Sequence, residues 1–512
     1  MPGVDLHADY VVVGAGSAGS VIARRLVDNT DATVLVLEAG GRDRNPAIHD
    51  PRRMHELWHS PEDWDYFTIP QRHAAGRRLH LPRGRVLGGS HALNATIWVR
   101  GNPADYDEWA ALGNKGWAWR DVEPLFRRIE RYDRDLSGGK GMDGLLDVLT
   151  AFEPDPVQRD ILLAAGEAGI PGNRDHNSGV QDGAGPVHFT IRAGQRLTTA
   201  DAYLKPVLDD RRITLCTGAR VHRVVVRGGR ACGVSGSVGG RQVTVTASTA
   251  VILAAGAIDS AALLLRSGIG PAVELRAVGV DVVADVPGVG RNLTDHWLVP
   301  VIFAAEREIT HACGLPPAQT QLFWRTDPGL DRPDLQPLHF SVPLYESWMS
   351  GPANGFTLLA GLVRPESRGW LRITGPEDRA PLIDPDVLGE PVDELRLVEA
   401  VRLGREVGSA PALREWGAVE HYPGPHVHDT HGLRDYVRRS VVTYHHVSGT
   451  CRMGIGADAV VDPELRVHGI DGLRVADASV LPRITTGNTN APAIMVAERA
   501  AELLSRDEST RL

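Results

Sequence analysis

The chain has 512 residues, of which 42% are hydrophobic, and its 55 basic and 64 acidic residues give a net charge of −9. This acidic balance argues against nucleic acid as a main partner, because phosphate binding needs a basic face. The four cysteines form no C-x-x-C pair, which argues against a metal or redox dithiol site, so we expect no metal. Neither a signal peptide nor a membrane-spanning run is recognised, so we expect a cytoplasmic protein.

The first predicted element is a β-α-β unit over residues 9–40. An apolar run predicts a buried strand, Gly14 permits the tight turn that leaves it, and Gly16 lets backbone approach a pyrophosphate. Gly19 allows the next helix to pack close to the strand. Ser17 and Ala18 stand at the N-terminus of that helix, where free N–H groups favour a phosphate.

A second apolar run ends at Glu38, which is followed by Ala39. At this position the carboxylate can accept hydrogen bonds from the ribose hydroxyls of a dinucleotide. Strand, turn, helix, strand and acid stand in the order and spacing of a dinucleotide-binding fold, although this motif alone fits both NAD and FAD.

The remaining chain is divided by composition and periodicity. Residues 42–80 are polar and irregular, which is typical of a surface excursion and possible lid. A glycine-rich loop follows at 81–90, and a strand–glycine turn–helix element recurs near residue 255. Helices are predicted within 105–135 and over 158–170, 393–408 and 492–504; strands are predicted over 213–216, 219–226, 241–246 and 249–253, and antiparallel strands within 297–445.

Five stretches resemble, in order, the sequence motifs of the glucose–methanol–choline (GMC) oxidoreductase family. They are residues 82–95, 256–271, 287–296, 446–454, and 475–479 together with 487–492. The resemblance implies an FAD enzyme that oxidises an alcohol by hydride transfer to flavin N5 and passes the electrons to O₂ or another acceptor. It also implies an α/β (α+β overall) fold with a Rossmann-like FAD-binding domain and a sheet-based substrate domain.

The implied domains are discontinuous in sequence. The FAD-binding domain is expected to comprise residues 1–150, 200–297 and 455–512, and the substrate-binding domain residues 151–199 and 298–454. The resemblance also implies further cofactor-binding residues from its motifs: Gly88, Gly89, Ser90, Asn94, Val221, Ala255, Gly256, Asp477 and Ala478.

The resemblance further implies a catalytic pair. Alcohol oxidation needs a base for the hydroxyl proton, and histidine suits this task because its pKa lies near neutrality. The motif assigns this role to His446, with an orienting amide from Asn488 or, as second choice, Asn490. His445 is expected either to shape the substrate side or simply to pack.

The attachment of FAD is predicted to be non-covalent. Some family members tether FAD through a histidine, but Leu93 stands at the corresponding position of this chain. His91, two residues earlier, is interpreted as a hydrogen-bonding loop residue near the flavin, with a covalent link as the alternative.

Three other functions remain open from the sequence. A hydroxynitrile lyase could use the same scaffold with FAD that does not cycle, an NAD-dependent dehydrogenase could use the first glycine motif alone, and a flavoprotein could lack catalysis. Besides the alcohol and an electron acceptor, no partner is predicted, and the chain is expected to be a monomer or a homodimer.

Overall fold

The helices and strands below belong to a computed structural model that describes residues 4–312 and 314–509. The helices are α1 (Ser17–Asn29), α2 (Pro46–His49), α3 (Pro103–Ala111), α4 (Trp119–Ile129), α5 (Pro156–Glu167), α6 (Gly256–Arg266), α7 (Ala272–Ala277), α8 (Pro391–Gly408), α9 (Thr430–Ser440) and α10 (Asn490–Ser509). The strands are β1 (Val4–Val13), β2 (Val34–Glu38), β3 (Tyr66–Phe67), β4 (His80–Leu81), β5 (Glu130–Tyr132), β6 (Leu146–Val148), β7 (Gly183–Pro186), β8 (Ile191–Arg192), β9 (Gln195–Arg196), β10 (Ile213–Thr217), β11 (Ala219–Arg227), β12 (Arg230–Val238), β13 (Arg241–Leu253), β14 (Ile269–Gly270), β15 (Ala284–Asp285), β16 (Trp297–Ala304), β17 (Ala318–Phe323), β18 (Leu338–Phe340), β19 (Gly355–Leu362), β20 (Trp370–Arg372), β21 (Leu382–Asp384), β22 (Val419–Tyr422), β23 (Val442–Thr443) and β24 (Leu473–Val475).

The predicted nucleotide-binding unit forms the centre of the first sheet. Its strands run in the order β10-β2-β1-β13-β12-β11, and β24 also pairs with β13. The strands β10, β2, β1, β13 and β24 are parallel, so their carboxyl ends meet at one edge, where ligands bind in open α/β sheets. All five residues of β2 are buried, as expected for a strand covered on both faces.

The second sheet is antiparallel, with the order β22-β16-β19-β18-β17-β7 and β23 paired to β16. Helix α8 packs against β16 and β19 and covers one face of this sheet. The predicted α/β fold class, with a Rossmann-like sheet and a second sheet, is therefore confirmed. The domain boundaries remain a prediction.

Two local predictions differ from the structure. The two strands predicted over 241–253 form one strand, β13, because a register shift against β1 absorbs the polar break between them. The helical stretch predicted over 105–135 contains two helices, α3 and α4, because Gly113 and Gly116 adopt positive φ angles between them.

The segment 42–80 is structured rather than irregular. It contains α2, a 3₁₀ helix over Pro51–Leu57, and the pair β3–β4. It also contacts the C-terminal half of the chain, since Ile69 N–H donates to Ile383 O at 2.8 Å. A lid function remains a prediction. Among the described residues, no helix is both long and apolar enough to cross a bilayer.

Candidate active site

A cavity of about 1180 Å³ begins at the carboxyl ends of the parallel strands and continues to the second sheet. One end is formed by the turns after β1 and β13, and the other by the loop after β23. Every residue predicted from sequence for cofactor or substrate lines this cavity, except Gly19 and Gly88: Gly14, Gly16, Ser17, Ala18, Glu38, Ala39, Gly89, Ser90, Asn94, Val221, Ala255, Gly256, His445, His446, Asp477, Ala478, Asn488 and Asn490.

Two glycine loops meet at the middle of the cavity. A Cβ atom on Gly89, whose φ is +57°, would lie 2.7 Å from the Cα of Gly16. Gly19 does not line the cavity but lies against Gly14, since its Cβ would fall 1.8 Å from the Gly14 carbonyl oxygen. Side chains at these positions would fill the cradle that the backbone forms.

Two buried carboxylates hold the glycine turns. Glu38 accepts hydrogen bonds from Ala15 N–H at 2.9 Å and Gly40 N–H at 2.8 Å, and burial raises its pKa to about 7. Asp477 accepts from Gly256 N–H at 2.8 Å, and burial likewise raises its pKa. Backbone N–H groups donate hydrogen bonds to both carboxylates, and these bonds fix the turns that follow β2 and β13.

The cavity has the features that FAD requires. Ser17 donates to Asn490 Oδ1 at 2.7 Å, which turns the Asn490 amide nitrogen away from Ser17. This nitrogen is buried and has no hydrogen-bond partner among the described residues, although it belongs to a cavity-lining side chain. An unpartnered buried donor beside a glycine cradle fits a ligand that brings oxygen acceptors, such as the phosphates and ribityl hydroxyls of FAD.

His446 lies at the other end of the cavity, on the loop after β23. Its backbone N–H donates to Asp295 at 2.8 Å, and its Nδ1 lies 2.9 Å from Nδ1 of His296. Its Nε2 lies 3.2 Å from Nδ2 of Asn488. Burial, followed by the nearby His296, His445 and Arg83, lowers the pKa of His446 well below its usual value.

A chain of amides fixes the orientation of Asn488. Gln336 Nε2 donates to Asn488 Oδ1 at 3.0 Å and to Gln321 Oε1 at 2.8 Å. The nitrogen of Asn488 therefore points to His446, and it can only donate there. It follows that Nε2 of His446 is an acceptor and that its proton is on Nδ1, where it is donated to His296.

The loop that carries Asn488 is held by helix α3. Asp105, the third residue of α3, accepts from the backbone and hydroxyl of Thr486 at 2.7 and 2.9 Å. Gln181 donates to Thr486 O at 2.9 Å. This loop supplies Asn488, whereas Asn490 begins α10 and is bonded to Ser17, so it is Asn488 that contacts His446.

His445 lines the same end of the cavity as His446. Its backbone is left-handed, with φ of +67°, and its carbonyl oxygen accepts a hydrogen bond from Arg83. Its ring centre lies 5.0 Å from that of Trp58 in the 42–80 segment. Because of this left-handed turn, the imidazoles of His445 and His446 both face the cavity. Burial lowers the pKa values of both, which keeps them uncharged.

His91 is fully buried and bonded on both ring nitrogens. Its Nε2 lies 3.0 Å from the Thr190 hydroxyl, and its Nδ1 accepts from Thr199 N–H at 3.3 Å. Leu93, not His91, lines the cavity.

Two polar residues of this site carry no role in the sequence analysis. His296 is the last residue of the stretch 287–296 that resembles a family motif, and its place there beside Asp295 is the only sequence feature that points to it. Gln336 lies outside every motif, in the irregular segment before β18, so no pattern points to it.

The chain is similar to known proteins in both sequence and fold. Two family models, both described as GMC oxidoreductase, match residues 8–298 and 365–497. An oxygen-dependent choline dehydrogenase of Rhizobium etli is 36% identical over 97% of this chain and 95% of its own length. An uncharacterized GMC-type oxidoreductase of Mycobacterium bovis is 38% identical over 98% of this chain and all of its own length. The crystal structure of pyridoxine 4-oxidase from Mesorbium loti, 36% identical, superposes with a TM-score of 0.92 over 96% of this chain and 98% of that one.

Proposed function

The chain belongs to the GMC oxidoreductase family and is an FAD-dependent enzyme that oxidises CH–OH donors, and from this premise we propose that its substrate is an uncharged aromatic primary alcohol. The observation that carries the catalytic assignment is the contact between His446 Nε2 and Asn488 Nδ2 inside the cavity. His446 is the base that receives the hydroxyl proton at Nε2. Asn488 donates to the substrate oxygen and orients it.

FAD, when bound, supplies the acceptor for the hydride that leaves the alcohol carbon. The residues that would hold it are the glycine turns after β1 and β13, the loop with Gly89 and Ser90, and the loop with Asp477 and Ala478. Burial of His446 keeps its Nε2 unprotonated at neutral pH, so the base needs no prior deprotonation, and the alcohol hydroxyl takes the place of the Asn488 N–H at this nitrogen.

The substrate class is inferred from the second-sheet side of the cavity. Its walls carry aliphatic and aromatic side chains from β16, β18 and β19 and from the 3₁₀ segment and its end: Met54, Trp58, Leu298, Leu338, Phe340 and Leu359. The ring of Tyr444 stacks on His446 at 4.6 Å. These apolar side chains in the cavity of the base fit a planar apolar substrate body with a single reacting hydroxyl.

The charges at this side disfavour a cationic substrate. Of the carboxylates that line the described cavity, Glu38, Asp259 and Asp477 flank the first sheet, and Glu346 alone belongs to the substrate side. Glu346 is half-buried near Arg77, and desolvation raises its pKa. A quaternary ammonium would need an aromatic or anionic cage, whereas arginines at 52, 77, 78 and 83 outnumber the acid here.

An anaerobic screen tests this proposal. Flavin absorbance is followed while a benzyl-type alcohol, pyridoxine, choline and an aliphatic alcohol of matched size are added one at a time. We expect bleaching by the aromatic alcohols at rate constants at least tenfold above that for choline, and admission of air then separates an oxidase from a dehydrogenase. Faster bleaching by choline contradicts the substrate class. A flavin that no alcohol bleaches contradicts oxidation itself and favours the lyase.

The pH dependence follows from the lowered pKa of His446. A histidine with an ordinary pKa of about 6.5 would lose about tenfold of its neutral form at pH 5.5. Since burial lowers this pKa, the unprotonated base persists there, and we expect the rate constant of flavin reduction to change less than about threefold from pH 8.5 to 5.5.

One buried acid provides the control for this profile. Burial raises the pKa of Asp295 to about 6, so protonation of Asp295 can itself lower the rate constant of flavin reduction at acidic pH. The profile is therefore repeated with Asp295→Asn. If the rate constant of this variant still falls below about pH 6.5, His446 is not a base with a lowered pKa.

Non-covalent attachment is tested by denaturation. Since both ring nitrogens of His91 are bonded to protein groups, we expect acid precipitation to release all flavin into the supernatant. Yellow precipitate from the parent protein, but not from His91→Asn, would show a covalent link through His91.

A further inference from the structure

Three side chains of the 42–80 segment converge at the cavity mouth. His59 Nδ1 lies 2.6 Å from Asp65 Oδ1, and His80 Nε2 lies 3.2 Å from the same oxygen. The three ligand atoms lie within 4.8 Å of one another, and the two imidazole rings stack at 3.9 Å. His59 and His80 both line the active-site cavity.

Asp63 organises this cluster from behind. One of its oxygens accepts from Asp65 N–H at 3.0 Å and Arg83 N–H at 2.9 Å. The other accepts from His59 N–H at 3.1 Å and lies 3.0 Å from His80 Nε2. The side chain of Asp63 is fully buried, so this carboxylate fixes the backbone on both sides of it.

Two of the three residues adopt a left-handed backbone conformation, which is uncommon for residues other than glycine. His59 has φ of +58° and Asp65 has φ of +54°, both in the left-handed region. Such conformations cost free energy and tend to mark functional positions. Here they turn the imidazole and the carboxylate towards His80.

We propose that His59, Asp65 and His80, held in place by hydrogen bonds to Asp63, form a binding site for a divalent ion of the Zn²⁺ type, with water as the fourth ligand. Two imidazoles and carboxylate oxygens are a usual donor set for Zn²⁺. Tetrahedral coordination with Zn–ligand bonds of about 2.0–2.2 Å places ligand atoms about 3.3–3.6 Å apart. Asp65 Oδ1 lies 3.2 Å from His80 Nε2 and 2.6 Å from His59 Nδ1, so both contacts must widen to admit the ion.

The proposed site differs from our sequence-based expectation of no metal, which remains a prediction. Residues 59, 65 and 80 are separated by irregular spacings, and the antiparallel pair β3–β4 brings the last of them to the other two. A bound ion would tie the segment with Trp58 to β4, and Trp58 contacts His445 at the cavity wall. The ion would therefore brace the wall of the substrate side without taking part in the redox chemistry.

The test measures the metal itself on the FAD-loaded, untagged protein after chelator treatment. ZnCl₂ is titrated calorimetrically, and thermal unfolding is recorded with and without the ion. We expect one ion per chain and a rise in Tm, and we expect His59→Asn and Asp65→Asn each to weaken binding by about tenfold or more. Asparagine is chosen because it tolerates left-handed backbone, so both variants should fold.

His431→Asn is the matched control, because His431 forms an exposed pair with Asp435 at 3.5 Å elsewhere on the surface. It should bind Zn²⁺ as the parent does. The proposal is overturned if the parent does not bind Zn²⁺, if both cluster variants bind with unchanged affinity, or if the control loses as much affinity as they do. None of these readouts depends on the alcohol substrate, so they are independent of the proposed function.

Discussion

Replacing His446 by glutamine should lower the rate constant of flavin reduction by about 10²–10⁴-fold, the usual contribution of a positioned general base. Glutamine keeps much of the side-chain volume but cannot take up the hydroxyl proton. Because the bound alcohol then loses its proton without a base, the loss should appear in this rate constant and much less in substrate affinity. Stopped-flow reduction under anaerobic conditions measures both quantities.

The flavin spectrum and circular dichroism show whether the variant still folds and binds FAD. His431→Gln, an exposed histidine far from the cavity, should reduce at the parental rate. If His446→Gln retains FAD and reduces it within about threefold of the parent, another group is the base.

The first sheet could be predicted from sequence because its signals are local. Strand, glycine turn, helix, strand and acid follow within 30 residues, and the structure shows the backbone reason for glycine at Gly14 and Gly19. In the second sheet, alternating apolar and polar residues indicate strands, but they do not predict the order of these strands. Its edge strand β7 has the sequence Gly-Ala-Gly-Pro, which carries no strand pattern and depends on pairing with distant β17.

The site was predictable where a motif fixes a residue type, and less so where a loop sets the register. His446 follows from its motif, whereas Asn488 and Asn490 are two residues apart in one loop and only tertiary contacts separate them. His296 and Gln336 act through other side chains. Such residues come from distant segments, and a lone histidine or glutamine in a sequence is more often structural than functional.

Replacing His296 by phenylalanine should lower the rate constant of flavin reduction by about 100-fold with FAD retained. Asn488 donates to Nε2 of His446, so the proton on Nδ1 needs His296 Nδ1 as its acceptor. Phenylalanine keeps the ring volume at this fully buried position but removes the acceptor. The Nδ1 proton of His446 is then buried without an acceptor, which disfavours the tautomer that the base needs.

A structural role and a positioning role differ in what rescues the variant. Asparagine at 296 offers an oxygen near the former Nδ1 and should recover at least tenfold over phenylalanine, although it fills less space. His339→Phe is the matched control, because His339 is also buried and bonded through Nδ1 to Thr320, but it does not line the cavity. We expect this control to lower Tm without lowering the rate constant. If His296→Asn, or the control, loses as much rate as His296→Phe, the role of His296 is packing. If asparagine alone rescues the rate, His446 works as a base only while the residue at 296 accepts the proton on its Nδ1.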